Sequence, residues 1–356
     1  MSISIRAFVP KPEQPAKEAP NDPILALLDS RRVSLARPFP VPVPALLLQG
    51  QSIATAGNLC AISGQAKAGK SAAVASMVAS LISPSGEGDF LGFSSPPSEG
   101  KIVLVFDTEQ SPHDAWSLQN RILRRAGLSA QPDSLEHFYL LDLSPTERLA
   151  AVLAGTRRAA ARGSVLAVVV DGVADLLEDV NDAAASNAVI ADLIALAVGI
   201  AAPIVVVVHE NPDPTGKGSK GRGHLGSSLE RKSESNLRIQ KGADGVSVIF
   251  SEKCRQASIP MARGSRFTWC DDAQMHVSTI AATDEKKEKL KEIERFNLDQ
   301  FFRSSDAAGG LSHASLLAVI AKVCAITESG ARKRFDKLRV DGSIKQTAEG
   351  RWVRCL

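Results

Sequence analysis

One short segment constrains the fold of this chain more than any other. It consists of Gly64, Gln65, Ala66, Lys67, Ala68, Gly69, Lys70 and Ser71. This is the pattern Gly-x4-Gly-Lys-Ser, whose glycines let backbone N–H groups turn toward phosphate oxygens. An aliphatic run at 59–62 precedes the segment and an apolar stretch at 72–81 follows it, which is the strand–loop–helix context that phosphate binding requires. A chance glycine-rich turn is the alternative interpretation.

The pattern assigns chemistry to two side chains of this loop. Lys70 is expected to neutralise the β- and γ-phosphates of ATP, and the Ser71 hydroxyl is expected to ligate Mg²⁺. The segment therefore predicts ATP and Mg²⁺ as cofactors, and ATP hydrolysis as the class of reaction.

Three further aliphatic runs predict the sheet around this loop. They cover 102–106, 165–170 and 204–208, and they are apolar on both faces and rich in β-branched residues. This is the pattern of parallel strands covered by helices on both sides. The segments between them are long enough for crossover helices, for example 183–198. We therefore expect a doubly wound, mostly parallel α/β core that binds its ligand at the carboxyl ends of the strands.

Polar residues follow each of these runs. Asp171 fits the Walker B role of holding the Mg²⁺ shell, although a turn aspartate is equally compatible and Asp175 is a substitute. Glu109 is expected to orient or deprotonate the attacking water, with Asp107 as the alternative and a surface acid as the plain interpretation. His209 either contacts the γ-phosphate or ends its strand without a ligand. The strand of Glu109 is expected next to the loop strand.

Composition divides the chain into four parts. Residues 1–44 are proline-rich and predict an extended or disordered arm, with one short helix at 24–28. Residues 45–280 form the predicted core, with a later strand at 246–250 near the sheet edge. A highly charged stretch predicts a linker helix over 281–294, and a small second domain follows over 295–356.

This C-terminal part has the order helix, helix, hairpin. Leu316 and Ile320 share one helical face, and Phe335 and Leu338 share another. The order resembles a winged helix-turn-helix domain, in which a recognition helix would expose its basic residues to DNA. Those basic residues are Arg332, Lys333 and Lys337. Winged helices also dock proteins, so a replication or mobile-element partner is the alternative.

A second basic segment lies between His209 and Gly226. Residues 215–224 contain Lys217, Lys220 and Arg222 together with four glycines and no acid. Flexible backbone with fixed cations suits the phosphates of single-stranded DNA. A mobile surface loop is the alternative.

Taken together, these motifs resemble the RecA-like ATPases, especially the RepA-type hexameric helicases of plasmids and mobile elements, over residues 45–280. The resemblance implies that Glu109 is catalytic and that His209 is a γ-phosphate sensor. It also implies that a neighbouring subunit of a ring supplies a Lys-x-Arg finger. Lys253 and Arg255, after the strand 246–250, match that finger, and Arg231 and Lys232 are the second candidates. From the residues alone, these four would be surface cations.

The bulk properties narrow the class of protein. The five cysteines, Cys60, Cys254, Cys270, Cys324 and Cys355, contain no CxxC pair, which favours reduced thiols in a cytoplasm and no zinc site. We expect no apolar run long enough to span a bilayer, and therefore no membrane span. The leading hypothesis is a ring-forming ATP-dependent DNA helicase. The alternatives are an ATP-switched DNA-binding initiator or regulator and an ATPase that loads a protein partner.

Overall fold

A computed structural model describes residues 22–36, 38–39, 41–210, 223–256, 258–279, 309–323 and 327–355. The chain divides into two units, 1–43 and 44–356. In the first unit, the short helix predicted at 24–28 is present as α1, Pro23–Ser30. It begins where the Asp22 carboxylate accepts the N–H of Ile24 at 2.8 Å, and all its residues are exposed.

The second unit is organised by a nine-stranded sheet with the order β12-β11-β10-β9-β3-β8-β7-β5-β6. Its strands are β3 (Leu59–Gly64), β5 (Ile102–Asp107), β6 (Leu135–Tyr139), β7 (Val165–Asp171), β8 (Ile204–His209), β9 (Ser235–Lys241), β10 (Ser247–Cys254), β11 (Ser265–Cys270) and β12 (Met275–Thr279). Strands β9, β3, β8, β7, β5 and β6 are parallel to one another, and β10, β11 and β12 extend the sheet in antiparallel fashion. The predicted α/β class with a mostly parallel sheet is confirmed.

Helices and a smaller sheet complete this unit. The helices of the core are α2 (Lys70–Ile82), α3 (Pro112–Arg125), α4 (Pro145–Arg162), α5 (Ala183–Ile200) and α6 (Gly223–Lys232). The smaller sheet has the order β2-β1-β4, from β1 (Pro44–Leu48), β2 (Gln51–Thr55) and β4 (Phe93–Ser94). The sequence analysis predicted neither this sheet nor strands β6, β9, β11 and β12.

Alternate residues of the central strands enter two separate hydrophobic clusters. Val103 and Val105 of β5 pack in the cluster that contains α2. Leu104 and Phe106 pack in the cluster that contains α5. Because successive side chains of a strand face opposite sides of the sheet, both faces of β5 are covered. This burial explains why the strand sequences carry no polar alternation.

Helix α5 is as apolar as a membrane-spanning segment. Of the described helices, it alone is long and apolar enough by length and composition to cross a membrane. The expectation that no such run exists was therefore wrong by this measure. Its side chains Val189, Ile190 and Leu193 are buried in the cluster on one face of the sheet. This packing is typical of a crossover helix in an α/β domain.

One expectation about strand placement was wrong, and a second was met only in part. The strand of Glu109, β5, is not adjacent to the loop strand β3, because β7 and β8 lie between them. The strand predicted at 246–250 is β10, and two more strands lie between it and the sheet edge. Sequence order does not reveal spatial order when crossover connections skip positions in a sheet.

The C-terminal part of the chain has its own hydrophobic cluster. Helices α7 (His313–Val323) and α8 (Glu328–Val340) are followed by the strands β13 (Ile344–Gln346) and β14 (Trp352–Arg354). Buried Leu316, Ile320, Phe335 and Leu338 form the cluster, as the predicted helical faces required. The order helix, helix, hairpin is present, and the winged-helix interpretation stays a prediction. The predicted linker helix at 281–294 lies outside the described residues.

Gly172 directly follows β7, and its carbonyl accepts the hydroxyl of Thr108, which follows β5, at 3.0 Å. This contact provides a test of the arrangement. The φ of Gly172 is 93°, and a Cβ there would overlap Thr108 Oγ1, which donates to Asp175 Oδ2 at 2.8 Å. Gly172→Ala should therefore lower the free energy of unfolding by about 2–4 kcal/mol in urea titrations.

Gly127→Ala is the matched control. Gly127 has a φ of 71°, and a Cβ added there would meet nothing within 4 Å, so only the left-handed backbone cost of about 1 kcal/mol should appear. Equal effects of the two substitutions would show that the contact with Thr108 does not constrain the strand ends.

Candidate nucleotide site

The loop between β3 and α2 is held from behind by the antiparallel strands. Gly69 precedes α2 with a φ of 101°, and a Cβ there would lie 2.7 Å from the ring of Phe267. The Ser247 hydroxyl donates to the carbonyl of Ala68 at 2.8 Å. Glycine is thus required at position 69 by its left-handed backbone and by the close approach of the ring. Strands β10 and β11 therefore pack behind the phosphate loop, a contact that the sequence analysis did not predict.

The front of this loop is open to solvent. Gln65, Ala66, Lys67 and Ser71 are exposed, and Ser71 lies in the first turn of α2. The N-terminus of a helix with exposed backbone N–H groups attracts anions. The loop therefore has the accessibility and the polarity that the phosphates of a nucleotide require.

Lys70 is the buried cation of the site, with 7% of its surface exposed. Its Nζ donates to the carbonyls of Gly64 at 3.2 Å and Gln65 at 3.1 Å, and it lies 3.1 Å from His209 Nδ1. An ammonium group has three N–H donors, so these three acceptors satisfy it. Burial lowers the pKa of Lys70, whereas the carboxylates of Glu109 and Asp171 oppose that shift.

His209 connects Lys70 to Glu109. Its Nε2 lies 2.9 Å from Glu109 Oε1 and 3.1 Å from Oε2. Because the Lys70 ammonium can only donate, Nδ1 accepts and the Nε2–H donates to the carboxylate. The structure thus joins these three predicted site residues in one chain of hydrogen bonds. Phosphate oxygens that bound Lys70 would compete with these acceptors, among them His209 Nδ1.

Asp107 supports Glu109 and is itself inaccessible. Its side chain is fully buried, and Oδ1 accepts the N–H groups of Glu109 at 3.0 Å and Gln110 at 2.9 Å. Burial raises the pKa of Asp107, and these backbone hydrogen bonds oppose the shift. Of the two candidates, Glu109 is therefore the partly exposed acid that can reach a water, and Asp107 shapes the turn that presents it.

Asp171 and Asp175, the two candidates for the Walker B role, differ in burial and in hydrogen bonding. Asp171 ends β7 and is 5% exposed. Burial, followed by the charges of Asp107 and Glu109, raises the pKa of Asp171 to about 8. Asp175 is engaged by the Thr108 hydroxyl. A buried carboxylate beside other acids is stabilised by a bound cation. Of the two aspartates, Asp171 is the buried one, with Asp107 and Glu109 nearby.

These residues fit a bound Mg²⁺ ion. Within the described ranges, no group of three His, Cys, Asp or Glu side chains converges as a metal site. Mg²⁺ in nucleotide sites keeps several waters and takes few protein ligands beside the phosphates. The exposed Ser71 hydroxyl and the Asp171 carboxylate supply the hard oxygen donors for that mode. When bound with nucleotide, the ion would neutralise charge on the phosphates.

Sequence reasoning missed a buried ion pair behind the loop. Glu210 is 8% exposed, accepts the Ser63 hydroxyl at 2.8 Å and pairs with Arg238 Nε at 3.0 Å. Its N–H donates to the carbonyl of Gly64 at 3.1 Å. The pair joins β3, β8 and β9 where the loop begins. The acid directly after His209 was the available signal, but its partner on β9 is distant in sequence.

The four finger candidates lie near the amino ends of the parallel strands, whereas the phosphate loop lies at their carboxyl ends. Cys254 of β10 is level with Ser235 of β9, and Ser235 with Cys60 of β3. Because a strand rises by about 3.3 Å per residue, Cys60 lies ~13 Å from Gly64 along β3, toward the amino end of the strand. Lys253, Arg255, Arg231 and Lys232 are at or next to these amino ends. They are therefore remote from the phosphate loop of their own chain.

Each finger candidate has a different local environment. Lys253 pairs with Glu230 at 3.1 Å. Arg255 donates to Asn58 Oδ1 at 3.0 Å and to the carbonyl of Lys232 at 3.3 Å. Arg231 donates to the Ser228 hydroxyl at 2.9 Å. Lys253 and Arg255 make their side-chain contacts among exposed atoms, so both remain accessible from outside the chain.

The predicted DNA-facing residues divide into two groups. Lys217, Lys220 and Arg222 lie outside the described residues. Arg332, Lys333 and Lys337 are exposed on α8, away from its buried residues. Arg332 also pairs with Glu328 at 2.9 Å.

His209 provides a test of the hydrogen-bond chain. His209→Ala removes an acceptor that competes with phosphates for Lys70, and one hydrogen bond contributes about 1 kcal/mol. We expect ADP, which lacks a γ-phosphate, to bind about fivefold more tightly, as measured by calorimetry, while ATP turnover falls.

His209→Gln is the matched control, because its amide offers one acceptor and donors in place of the two ring nitrogens. It should leave ADP affinity near that of the unaltered protein. An ADP affinity that is unchanged or weaker in His209→Ala would contradict the proposed competition for Lys70.

Comparison with known proteins agrees with this geometry. Residues 27–214 match the AAA domain family AAA_25, a family of P-loop ATPases that is RecA-like and helicase-related. The match contains the phosphate loop, Glu109, Asp171 and His209, and it ends before β9. A search of curated proteins finds no significant match. With the match covering more than half of its length, the chain belongs to the AAA domain family of P-loop ATPases.

Proposed function

We propose that the protein is a ring-forming, ATP-dependent DNA helicase or translocase, as in the RepA-type hexameric helicases. Its biological setting would be the cytoplasmic replication of a plasmid, phage or mobile element. The partners would be single-stranded DNA and further copies of this chain, with no membrane. ATP and Mg²⁺ would occupy the loop at 64–71, and Glu109 would activate the attacking water.

The observation that carries this proposal is the position of the finger candidates. Lys70 and Glu109 lie at the carboxyl edge of the parallel strands, whereas Lys253 and Arg255 lie at the amino edge. A cation there cannot reach a nucleotide on its own chain across ~13 Å of strand. A neighbour that presents its amino edge to this loop would bring both cations to the phosphates. Such a site is complete only in an assembly.

A shared site links hydrolysis to assembly. A trans-acting cation stabilises the charge that develops on the phosphates and accounts for large rate factors in other P-loop enzymes. Lys253 and Arg255 are accessible for this role, since their present partners are exposed. DNA would lie on the basic segment 215–224, which follows the strand that carries His209.

A second candidate function rests on the C-terminal part of the chain. The exposed Arg332, Lys333 and Lys337 on α8, before a hairpin, fit a winged helix that binds a DNA site. In that case nucleotide would switch an initiator or regulator, and footprinting would show sequence-specific protection without strand separation. An ATPase that loads a protein partner would show no stimulation by DNA.

Mixing two inactive variants tests the shared site. Glu109→Gln keeps the finger residues but loses the water-activating group, with turnover falling by about 10²–10⁴-fold. Lys253→Ala/Arg255→Ala keeps the loop but loses the fingers. When the two variants are mixed with single-stranded DNA and ATP, interfaces with one intact half from each chain should recover turnover. The measurement is phosphate release against the mixing ratio.

A control variant and two contrary results complete this test. Arg157→Ala removes an exposed cation of α4 and should leave turnover unchanged. Turnover should also rise with protein concentration and with single-stranded DNA. If the finger double variant alone hydrolyses ATP at the rate of the unaltered protein, these cations are not the fingers. If the active protein fails to unwind a forked duplex, the helicase proposal is wrong.

A further inference from the structure

A groove of about 460 Å³ lies along α3, and no residue of the loop at 64–71 lines it. Its lining includes Trp116, Arg121, Arg124 and Leu128, together with Gln274 from the β11–β12 turn. The two walls are joined where Arg124 Nη2 donates to the carbonyl of Gln274 at 3.2 Å. The groove is thus formed between two elements of the fold.

The aromatic wall of this groove is exposed. Trp116 has 64% of its surface accessible, and His113 stacks against it with ring centroids 6.0 Å apart. A second exposed indole, Trp269, lies on the β11–β12 hairpin that supplies Gln274. Large exposed aromatics mark interaction sites when polar groups surround them.

The charged wall is basic. Among the residues that the structure describes, no acid lines the groove, and Arg121 and Arg124 are its charged residues. Arg121 Nε donates to the carbonyl of Ser117 at 3.3 Å, and Arg124 uses one Nη, so both guanidinium groups retain further donors. Burial lowers the pKa of His276, and the cations Lys241, Arg125 and Arg121 add to that shift. The turn that supplies Gln274 also carries the exposed acids Asp271 and Asp272, so the positive charge of the groove comes from Arg121 and Arg124 of α3.

We infer that this groove binds single-stranded nucleic acid, with a base stacked on Trp116 and phosphates held by Arg121 and Arg124. This inference rests on the proposed function, which supplies the single-stranded nucleic acid as a ligand. Stacking on an aromatic side chain is tolerant of sequence, and arginines in a groove follow the backbone. The amides of Asn120 and Gln274 offer donors and acceptors to base edges.

Helix α3 also connects the groove to the site of hydrolysis. It begins at Pro112, three residues after Glu109, and its first turn is capped by the Ser111 hydroxyl, which accepts the N–H of Asp114 at 3.2 Å. A nucleic acid strand stacked on Trp116 would contact the second turn of α3. The turn that precedes α3 carries Glu109. Nucleic acid bound in the groove would therefore contact the helix that directly follows the turn of Glu109 in the nucleotide site.

Anisotropy of fluorescein-labelled dT20 and rU20 with the full chain, without nucleotide, tests the groove. Trp116→Ala should weaken binding of both about tenfold, because one stacked base contributes about 1–3 kcal/mol. Trp116→Phe should retain most of the affinity. Arg121→Ala/Arg124→Ala should lower the slope of log K against log salt by about 1.4, which corresponds to two phosphate contacts. Arg157→Ala/Arg263→Ala, which removes two exposed cations elsewhere, should leave Trp116-dependent binding intact.

A second measurement follows Trp116 directly. The chain has three tryptophans, so Trp269→Phe/Trp352→Phe leaves Trp116 as the single indole. Binding of dT20 or rU20 should protect it from acrylamide quenching, and poly-glutamate should not. Protection by poly-glutamate alone would assign the groove to an acidic protein segment and overturn the inference. Unchanged affinity in both groove variants would do the same.

These outcomes are distinguishable from failure of the proposed function. If dT20 protects Trp116 but neither stimulates hydrolysis nor is translocated, the groove stands and the helicase proposal fails. If dT20 stimulates hydrolysis equally in the unaltered protein and in Trp116→Ala, with equal affinity, the helicase proposal stands and the groove assignment fails.

Discussion

The buried ammonium of Lys70 is the interaction on which the site depends. Burial disfavours its charge, and the nearby carboxylates of Glu109 and Asp171 restore it. Of these two acids, Asp171 is buried and Glu109 is exposed, and the ammonium group of Lys70 opposes the rise that burial causes in the pKa of Asp171. Two loop carbonyls and His209 complete the coordination of Lys70. Phosphates bound in the loop would compete with these acceptors for Lys70, and His209 is one of them.

The sheet places the parts of the proposed reaction at its two ends. Parallel strands bring Lys70, Glu109, Asp171 and His209 to their carboxyl edge, as expected for ligand sites in such sheets. The antiparallel turn into β10 carries Lys253 back to the amino edge. Strands β10 and β11 also brace the phosphate loop through Ser247 and Phe267. One extension of the sheet therefore shapes the loop at one end and exposes cations at the other.

Patterns local in sequence predicted much of this arrangement. The phosphate loop, the four central strands and the acids at their ends follow from short-range rules on glycine, β-branched residues and strand termini. Spatial neighbours did not follow. The separation of β5 from β3 by two strands, the ion pair of Glu210 with Arg238, and the groove beside Trp116 all join residues far apart in the chain. Periodicity carries no information on such pairings.

The sequence by itself determined the nucleotide chemistry of this protein, because a phosphate loop is a contiguous segment whose residues act through their own backbone and side chains. It also determined the α/β class, since strands buried on both faces must be continuously apolar. Only the tertiary structure showed that Asp107 is fully buried whereas Glu109 is exposed, and only it joined Lys70, His209 and Glu109 into one chain of hydrogen bonds. Burial and hydrogen-bond partners both arise when separate strands meet at one edge of a sheet, so neither can be derived from local sequence patterns.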